Sequence, residues 1–554
     1  MEKRIFTAVL ISIGFLWLWA WAAPKVLPEY FKPPKPAVTK PASPAAPATQ
    51  TQTTGTTGTT AAAPAPSIAP APVQPPVAVA PTSATRRQTS RVETNDFIAV
   101  FSNRGAELIS FQLKHYSSKN GGPVELVKGR ESLRTDFPFA IESASTALAQ
   151  RLNSSLWEVS EHRDGANQSV TFRYAAEGVA ATKTFAFQGD YPFTFSIAVA
   201  PAVPYRVAIG PGIRTLEADE KESMYVVTGN GVVQRDDKVT VVSREKSDRV
   251  NVFDHVDFVG LEDNYFMTVL RPSRGDGAIL HAEEFPEGTK GEKRRDFYAA
   301  VNALPDGKVD GTAIFIPKQT QLVDRFHLEK TLQFGFFGVI ARAFLTALIW
   351  INTTTHNFGW SIIVLTIVIK ILLYPLQHKS MSSMKKMQKV QPKVEAIKAK
   401  YRKVQKDPEQ RQKMNAETMK LYQQEGINPA SGCLPLVIQL PILWAFYNLL
   451  SHAIELRGAP FMMWIHDLSA KDPYYVTPAL MVVTMFVQQA MTPTTVDPAQ
   501  KRMFYIMPLV MGWIFKELPS GVVLYYLMQN VLTIAQQWIM NKWWKDHPKD
   551  LAKE

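Results

Sequence analysis

The stretch from Phe358 to Leu376 reads FGWSIIVLTIVIKILLYPL, and its only charged residue is Lys370. A stretch of this length and composition is long enough to cross a bilayer as a helix. A lysine inside such a span costs about 2.5 to 3.5 kcal/mol, so it normally lies against polar partners or water. Lys370 lies roughly 18 Å from the beginning of the helix and about 9 Å from its end. Snorkelling to the nearer interface is therefore the alternative explanation.

Four later stretches are also candidate spans, at residues 432–452, 474–491, 503–518 and 521–540. Several of them carry amides, among them Gln439, Gln529 and Asn530. Hydrogen bonding between neighbouring helices is the ordinary role of such amides in membranes. The excess of basic cavity charge over any acidic partner inside these spans argues against simple pairing of Lys370. The pattern therefore favours a hydrated cavity with one positive charge and an amide lining.

The region before these spans divides into three parts by composition. Residues 1–25 carry Lys3 and Arg4 near the start, and the 19 residues from Ile5 to Ala23 are uncharged, which predicts a membrane anchor that starts in the cytoplasm. A cleaved signal peptide is the alternative, and with either one the chain beyond residue 25 is exported. Residues 26–90 are rich in Pro, Thr and Ala, which predicts an extended linker. Residues 91–325 alternate apolar and polar side chains, which predicts a large all-β sandwich.

Residues 334–351 are ambiguous, because they are also apolar enough to span a membrane. If they did so, segment 378–428, with 13 Lys or Arg against five Asp or Glu, would lie outside the cell. Basic loops favour the cytoplasm, so we expect 334–351 to be an interfacial helix and the chain to cross the membrane six times. Both termini are then cytoplasmic. The remaining loops are predicted at 453–473 outside, and at 492–502 and 541–554 in the cytoplasm.

The basic segment 378–428 has the pattern of a helical hairpin. Asp407 precedes Pro408 as an N-cap before a first-turn proline, and Gly426 can end the second helix. Its cations are candidates to recruit a partner through salt-sensitive contacts. A plain topology signal is the alternative. The candidate recruitment residues are Lys385, Lys386, Lys389, Lys393, Arg402 and Lys403.

Several classes of site are not indicated by this sequence. The chain contains no G-x-x-x-x-G-K-[ST] loop and no G-x-G-x-x-G after a strand, so no nucleotide site is expected. Cys433 is the single cysteine and the histidines are scattered, which argues against a metal site and a disulfide. We expect no cofactor. The four histidines of the predicted sandwich suggest no catalytic pair, so an enzyme is not expected either.

The chain contains a series of motifs, in order, over about residues 335–540. They include Tyr374-Pro375, Gln391-Pro392-Lys393, Asn428-Pro429, Gly432-Cys433-Leu434-Pro435, Ile438-Gln439-Leu440-Pro441, Trp464-Ile465-His466-Asp467, Thr492-Pro493-Thr494-Thr495 and Pro519-Ser520-Gly521. This series resembles the YidC-type membrane protein insertases. The long exported domain after an anchor is similar to the Gram-negative bacterial form.

The resemblance implies a fold and a location. The fold is an α-helical polytopic membrane protein, with a five-helix insertase core, an N-terminal anchor helix and a large all-β periplasmic sandwich. The location is the bacterial inner membrane. The family's sandwich is similar in fold to sugar mutarotases, but a fold does not confer an activity.

The resemblance also implies a mechanism in which nascent membrane proteins enter a hydrophilic groove open to the cytoplasm and the lipid. The implied partners are the Sec translocon, the ribosome and a targeting receptor. The positive groove residue is usually arginine and corresponds here to Lys370. The implied path residues are Thr366, Gln439, Met481 and Tyr526. A transporter or channel with a substrate-binding periplasmic domain is the alternative, although we find neither paired ion ligands nor inverted repeats.

Overall fold

The computed structural model describes residues 82–118, 121–128, 137–215, 229–243, 250–274, 277–287, 292–332, 334, 337–401, 407–427, 434–491 and 498–546. The predicted anchor at 1–25 and most of the predicted linker lie outside these residues. Arg402 and Lys403 of the predicted hairpin also lie outside them.

The first part of the described chain, residues 82–332, is built mainly of strands and is called the sheet domain. Alternating side chains fix which face of each strand is buried. The strands are β1 Thr89–Glu93, β2 Phe97–Ser102, β3 Glu107–Ser117, β4 Pro123–Glu125, β5 Ala140–Ser143, β6 Glu158–Asp164, β7 Asn167–Ala176, β8 Val179–Phe187, β9 Pro192–Ala200, β10 Tyr205–Ile209, β11 Asn230–Arg235, β12 Lys238–Val242, β13 Asn251–Phe253, β14 Phe258–Glu262, β15 Phe266–Pro272, β16 Ala278–Glu287, β17 Glu292–Asn302 and β18 Lys308–Pro317.

These strands form three antiparallel sheets. The largest has nine strands in the order β12-β11-β14-β15-β18-β9-β8-β7-β6. The second has the order β13-β16-β17-β10-β5, and the third has the order β1-β2-β3-β4. The predicted all-β domain is confirmed, and its strands are divided among three sheets around one apolar core.

The core of the sheet domain is rich in phenylalanine. In β9 the alternation places Phe193 and Phe195 inward and leaves Thr194 exposed. Phe111 of the four-stranded sheet lies 6.2 Å from Phe193 and 5.0 Å from Phe315, measured between ring centroids. Aromatic pairs at such distances add to the burial of their own surface. The two sheets are therefore held together by a shared aromatic layer.

The described residues after the sheet domain are mainly helical, which confirms the second half of the predicted fold class. Two short 3-10 helices, Glu329–Thr331 and Ile454–Leu456, join the longer elements. The α-helices, of which the first two belong to the sheet domain, are α1 Thr146–Ser154, α2 Thr320–Arg325, α3 Gly338–Thr355, α4 Phe358–Lys400, α5 Pro408–Gln424, α6 Leu434–His452, α7 Val476–Met491, α8 Pro498–Phe515 and α9 Ser520–Asp546.

Helix α4 extends through two segments that the sequence analysis treated separately. It runs for 43 residues, from the apolar span into the first arm of the hairpin, with Pro375 and Pro392 inside it. Asn357 caps its beginning by accepting hydrogen bonds from two backbone N–H groups. The side chain of Asp407 caps α5 by accepting a hydrogen bond from the Glu409 N–H, and Gly426 comes after that helix with a φ of +64°. The apolar stretch around Lys370 and the first arm of the hairpin are thus parts of one continuous helix.

Large apolar side chains are distributed very differently on the two parts. In the described residues of the sheet domain, the exposed ones are Val250 and Val252. Helices α4, α7, α8 and α9 instead expose many, for example Ile371, Leu372 and Trp513. Among the described helices, α4 alone is long and apolar enough to cross a membrane by length and composition, and shorter apolar helices occur at Val476–Met491 and Tyr505–Phe515. An apolar exterior of this extent suits contact with lipid.

The sheet domain packs against the end of α6. Asn264 donates a side-chain hydrogen bond to the Ser451 carbonyl at 2.8 Å. Glu455 accepts bonds from the backbone N–H and the hydroxyl of Thr320, both at 3.0 Å. Helices α6 and α3 are in contact, and Ala341, Leu345 and Leu348 of α3 are buried. These contacts identify the end of the bundle that faces the sheet domain.

Candidate functional site

Lys370 lies in the apolar part of α4 and is 8% exposed. Its Nζ donates a hydrogen bond to Thr533 Oγ1 of α9 at 2.8 Å. Thr533 in turn donates to the Gln529 carbonyl at 2.7 Å. Within the described part of the chain, no carboxylate forms an ion pair with Lys370. The ammonium is therefore buried with one neutral hydroxyl as its protein partner, which leaves two of its three donors for a ligand or water.

Lys370 lines a cavity of about 260 Å³ between α4, α6, α7 and α9. We call it the amide cavity, because seven of its lining side chains are primary amides. The lining also includes three hydroxyls and two methionines. The residues are Lys370, Gln377, Ser380, Met381, Met384, Gln439, Gln488, Tyr526, Gln529, Asn530, Thr533, Gln536 and Gln537.

The amides of this cavity are only partly satisfied by one another. Gln439 donates to the Tyr525 hydroxyl, and Gln529 donates to Gln439 Oε1 at 3.3 Å. The Oε1 atoms of Gln529 and Gln536 are buried without a hydrogen-bond partner in the described residues. Leaving such an oxygen unpaired costs about 1 to 3 kcal/mol. The cavity is thus suited to water or to a ligand that donates hydrogen bonds.

Toward the sheet domain, the amide cavity ends at a tightly packed apolar core. The Tyr525 ring stacks on Phe446 with centroids 4.1 Å apart. Leu449, Val522 and Val523 are fully buried around this pair. In the other direction, the cavity-lining residues of α4 lead into the hairpin. The cavity is consequently polar on the hairpin side and closed by packed side chains on the side of the sheet domain.

The predicted groove residues fall into two groups in the structure. Lys370, Gln439, Tyr526, Gln529 and Asn530 come together around the amide cavity. The other two, Thr366 and Met481, are fully buried and are not among the cavity-lining residues.

Thr366 lies one turn before Lys370, and its hydroxyl donates to the carbonyl of Ile362 in its own helix at 2.6 Å. Met481 packs in the apolar core of the bundle. Both therefore lie behind the cavity wall. Whether either one contacts a substrate stays a prediction of the resemblance.

Some cavity residues were not selected from the sequence. Thr533 lies four positions after Gln529, and Gln536 and Gln537 lie seven and eight positions after it. Such spacing places all four side chains on one face of α9. Helical spacing from Gln529 could therefore have identified Thr533, Gln536 and Gln537 from the sequence. Gln377, Ser380 and Gln488 lie on other helices and carried no comparable signal.

The predicted recruitment residues lie on the outer surface of the hairpin, where they are described. Lys389 and Lys393 are exposed, and Lys385 and Lys386 are half-buried. Lys393 forms an ion pair with Glu425 at 2.6 Å, which joins the two arms. An exposed pair of this kind contributes little to stability. The arms pack mainly through an apolar seam formed by Met387, Val390, Val394, Leu421, Tyr422 and Ile427.

A separate cleft of about 1080 Å³ lies on the sheet domain. The sheet brings together His281 and Glu142, which were too far apart in sequence to be recognised as a pair, at 2.9 Å. The His281 ring stacks on Tyr298 with centroids 5.1 Å apart. Burial lowers the pKa of His281, but the hydrogen bond and charge of Glu142 outweigh burial, so the net pKa is raised. In the described residues, no group of side chains could hold a metal ion.

Comparisons with known proteins agree with this architecture. A model of the 60Kd inner membrane protein family matches residues 350–547, and a model of the YidC periplasmic domain matches residues 89–347. Proteins named membrane protein insertase YidC from Geotalea daltonii and Geobacter metallireducens are each 33% identical to this chain. The alignments cover 98% of this chain and 99% and 98%, respectively, of those relatives.

Solved structures were also compared with this chain. The crystal structure of YidC from Thermotoga maritima has a TM-score of 0.31 and 14% identity, over 81% of this chain and 99% of that one. A putative mutarotase from Salmonella typhimurium has a TM-score of 0.29 and 10% identity, over 41% of this chain and 90% of that one. The full-length sequence relatives decide the assignment, which confirms the resemblance seen in the motifs. The chain belongs to the YidC family of membrane protein insertases.

Proposed function

We propose that this protein inserts nascent transmembrane segments into the bacterial inner membrane and uses the amide cavity as the path for their polar flanks. The observation that carries the proposal is Lys370, a buried cation with one neutral protein partner in a cavity lined by amides. Binding a polar segment transiently fits such a site, because an ionisable group inside a membrane helix marks a substrate path by default. The reaction is a transfer between phases and involves no covalent chemistry.

The energetics explain why no nucleotide is needed. A 20-residue apolar segment gains about 6 to 12 kcal/mol when it enters the bilayer, so insertion is downhill. The barrier lies in moving the segment's polar and often acidic flank across hydrocarbon. A cavity that reaches partway into the bilayer shortens the dry part of that path. A fixed cation gives an acidic flank a temporary partner at low dielectric.

The proposal includes an arrangement of the chain in the membrane. The bundle forms a multi-pass membrane domain of five helices, preceded by the N-terminal anchor, with both termini in the cytoplasm. Helix α3 lies along the outer interface, since Val339 and Trp350 are exposed on one side while its other side packs on the bundle. The amide cavity then opens toward the cytoplasm and the lipid. The packed apolar core around Tyr525 closes it toward the periplasm.

We further propose that the hairpin receives the substrate together with the ribosome or a targeting receptor. Four of its predicted cations, Lys385, Lys386, Lys389 and Lys393, lie on α4, which also forms part of the cavity wall, so a partner docked there is close to the cavity. Cooperation with the Sec translocon is part of this proposal. The sheet domain serves as a binding or spacing module for such a partner, because its contacts with α6 hold it next to the bundle.

The experiment that tests the proposal is insertion into liposomes that contain the purified protein. Lys370→Glu should reduce insertion of a substrate with an acidic exported flank about tenfold, because one attraction becomes a repulsion. Lys370→Arg should retain insertion, since it keeps the charge. Equal insertion by the Glu variant would contradict the role of the cation. Transport of a solute without any protein substrate would favour the transporter alternative instead.

A further inference from the structure

The polar side chains of α9 form a regular ladder along the amide cavity. Gln529 and Asn530 make the first rung, Thr533 the second, and Gln536 and Gln537 the third. The rungs are separated by three to four residues, which is one helical turn. From the first rung to the last, the ladder extends about 12 Å at 1.5 Å per residue.

The ladder contains hydrogen-bond acceptors that the described protein leaves unused. Gln529 and Gln536 are both only 8% exposed, and their Oε1 atoms have no partner in the described residues. Lys370 donates to the hydroxyl of Thr533 between them. A ligand that completes this cavity must therefore supply hydrogen-bond donors to two carbonyl oxygens two helical turns apart, about 10 Å along the axis.

The neutrality of the ladder limits what those donors can be. Primary amides attract a charged flank less than a row of lysines or carboxylates would, and they do not discriminate between side chains of either sign. Each amide offers one acceptor and two donors, which matches the C=O and N–H groups of a main chain. An extended chain rises about 3.3 Å per residue, so 12 Å corresponds to three to four residues.

Building on the proposed function, we propose that the ladder binds the main chain of the substrate's exported flank in an extended form. The flank's backbone N–H groups donate to Gln529 and Gln536, and its carbonyls accept from neighbouring amides. A helical segment satisfies its own backbone groups and has no need of the ladder. The cavity therefore retains the unfolded flank and releases the apolar helix to the lipid.

Backbone esters in the substrate test this inference directly. Replacing three consecutive residues of the flank by α-hydroxy acids during cell-free translation removes three N–H donors without changing the side chains. We expect the ester flank to insert about fivefold more slowly than the amide flank through the wild-type protein, which corresponds to the net value of one or two hydrogen bonds. If the cavity were a hydrated path without backbone recognition, the ester flank would insert faster than the amide flank, because an ester has fewer donors to desolvate.

A double variant and a control variant test whether the ladder causes the difference between ester and amide flanks. Gln529→Met combined with Gln536→Met removes the two acceptors to which the proposed backbone donors bind, and we expect it to abolish the difference between ester and amide flanks. Gln489→Met makes the same change on α7 at a half-buried position outside the cavity lining and should behave as wild type.

The result that would overturn the inference is equal or faster insertion of the ester flank through the wild-type protein. That comparison does not depend on whether the variants fold. It also leaves the proposed function intact, because the amide flank still inserts. Failure of the wild-type protein to insert the amide flank would instead contradict the proposed function itself.

Discussion

The sheet domain and the helical bundle each bury a lysine, and the two lysines differ in their hydrogen-bond partners. Lys183 of β8 is fully buried in the sheet domain, and its Nζ donates to the carbonyls of Gly105 and Phe139, both at 2.7 Å. The same ammonium lies 5.3 Å from the centroid of the Trp157 ring. Lys370 in the helical bundle has one neutral hydroxyl as its partner in the described chain. One lysine is enclosed by its own protein, and the other faces a cavity.

The number of unused hydrogen-bond donors on a buried lysine distinguishes a structural cation from a functional one. A buried charge that is fully hydrogen-bonded holds its surroundings together, and removing it leaves buried acceptors without donors. A buried charge with unused donors remains available for a ligand. We therefore expect changes at Lys183 to affect stability and changes at Lys370 to affect insertion.

Two single variants, Lys183→Met and Lys370→Met, should differ most in the free energy of unfolding. Lys183→Met leaves the Gly105 and Phe139 carbonyls buried without donors, so we expect a loss of about 3 kcal/mol in the free energy of unfolding of the sheet domain. Lys370→Met should cost less than about 1 kcal/mol, because its cavity is already polar and incompletely bonded. Pulse proteolysis of the full chain in urea measures both. Similar losses in the two variants would remove the distinction.

The pH dependence of the free energy of unfolding tests whether the Lys183 ammonium is desolvated. Burial lowers the pKa of Lys183 to about 8, below its ordinary 10.5. Between these values the unfolded chain binds more protons than the folded one, so stability rises with pH. We expect a rise of about 1 kcal/mol per pH unit between about pH 8 and 10 relative to Lys183→Met. Parallel pH profiles of the wild type and this variant would show that the ammonium is not desolvated.

The contact between the sheet domain and the helical bundle should contribute least to the stability of the protein. Glu455 accepts two hydrogen bonds from Thr320 at the junction of the sheet domain and α6. Glu455→Gln keeps the size of the side chain and weakens these bonds, so we expect a loss of about 0.5 to 1 kcal/mol and unchanged insertion. Thermal unfolding together with the liposome assay checks both parts. A large loss of insertion would mean that the sheet domain positions the cavity helices.

Much of the fold was predictable, because its patterns are local. Alternation along β9 identifies its buried face, and the apolar stretch around Lys370 identifies the first helix of the bundle. The division of strands among three sheets depends on pairings between distant residues, which a single sequence does not display. Lys183 was detectable in principle, since it occupies an inward position of β8 between Ala181 and Phe185.

The candidate site was only partly predictable, for a similar reason. Lys370, Gln439 and Gln529 stand out as polar residues in apolar stretches, and the structure brings them together. Which face of each helix points into the cavity depends on how the helices pack. Thr366 was expected on the substrate path from the resemblance, but its hydroxyl is occupied within its own helix.

The most direct test of the central claim is photo-crosslinking during translation from two positions on α4. Lys370 lines the amide cavity, whereas Val368, two residues earlier, is 44% exposed on the apolar outside of the helix. A photoreactive residue at position 370 should capture the nascent chain of an inserting substrate, and the same group at position 368 should capture lipid. Capture of lipid alone from position 370, or equal capture of nascent chain from both positions, would contradict a substrate path through the cavity.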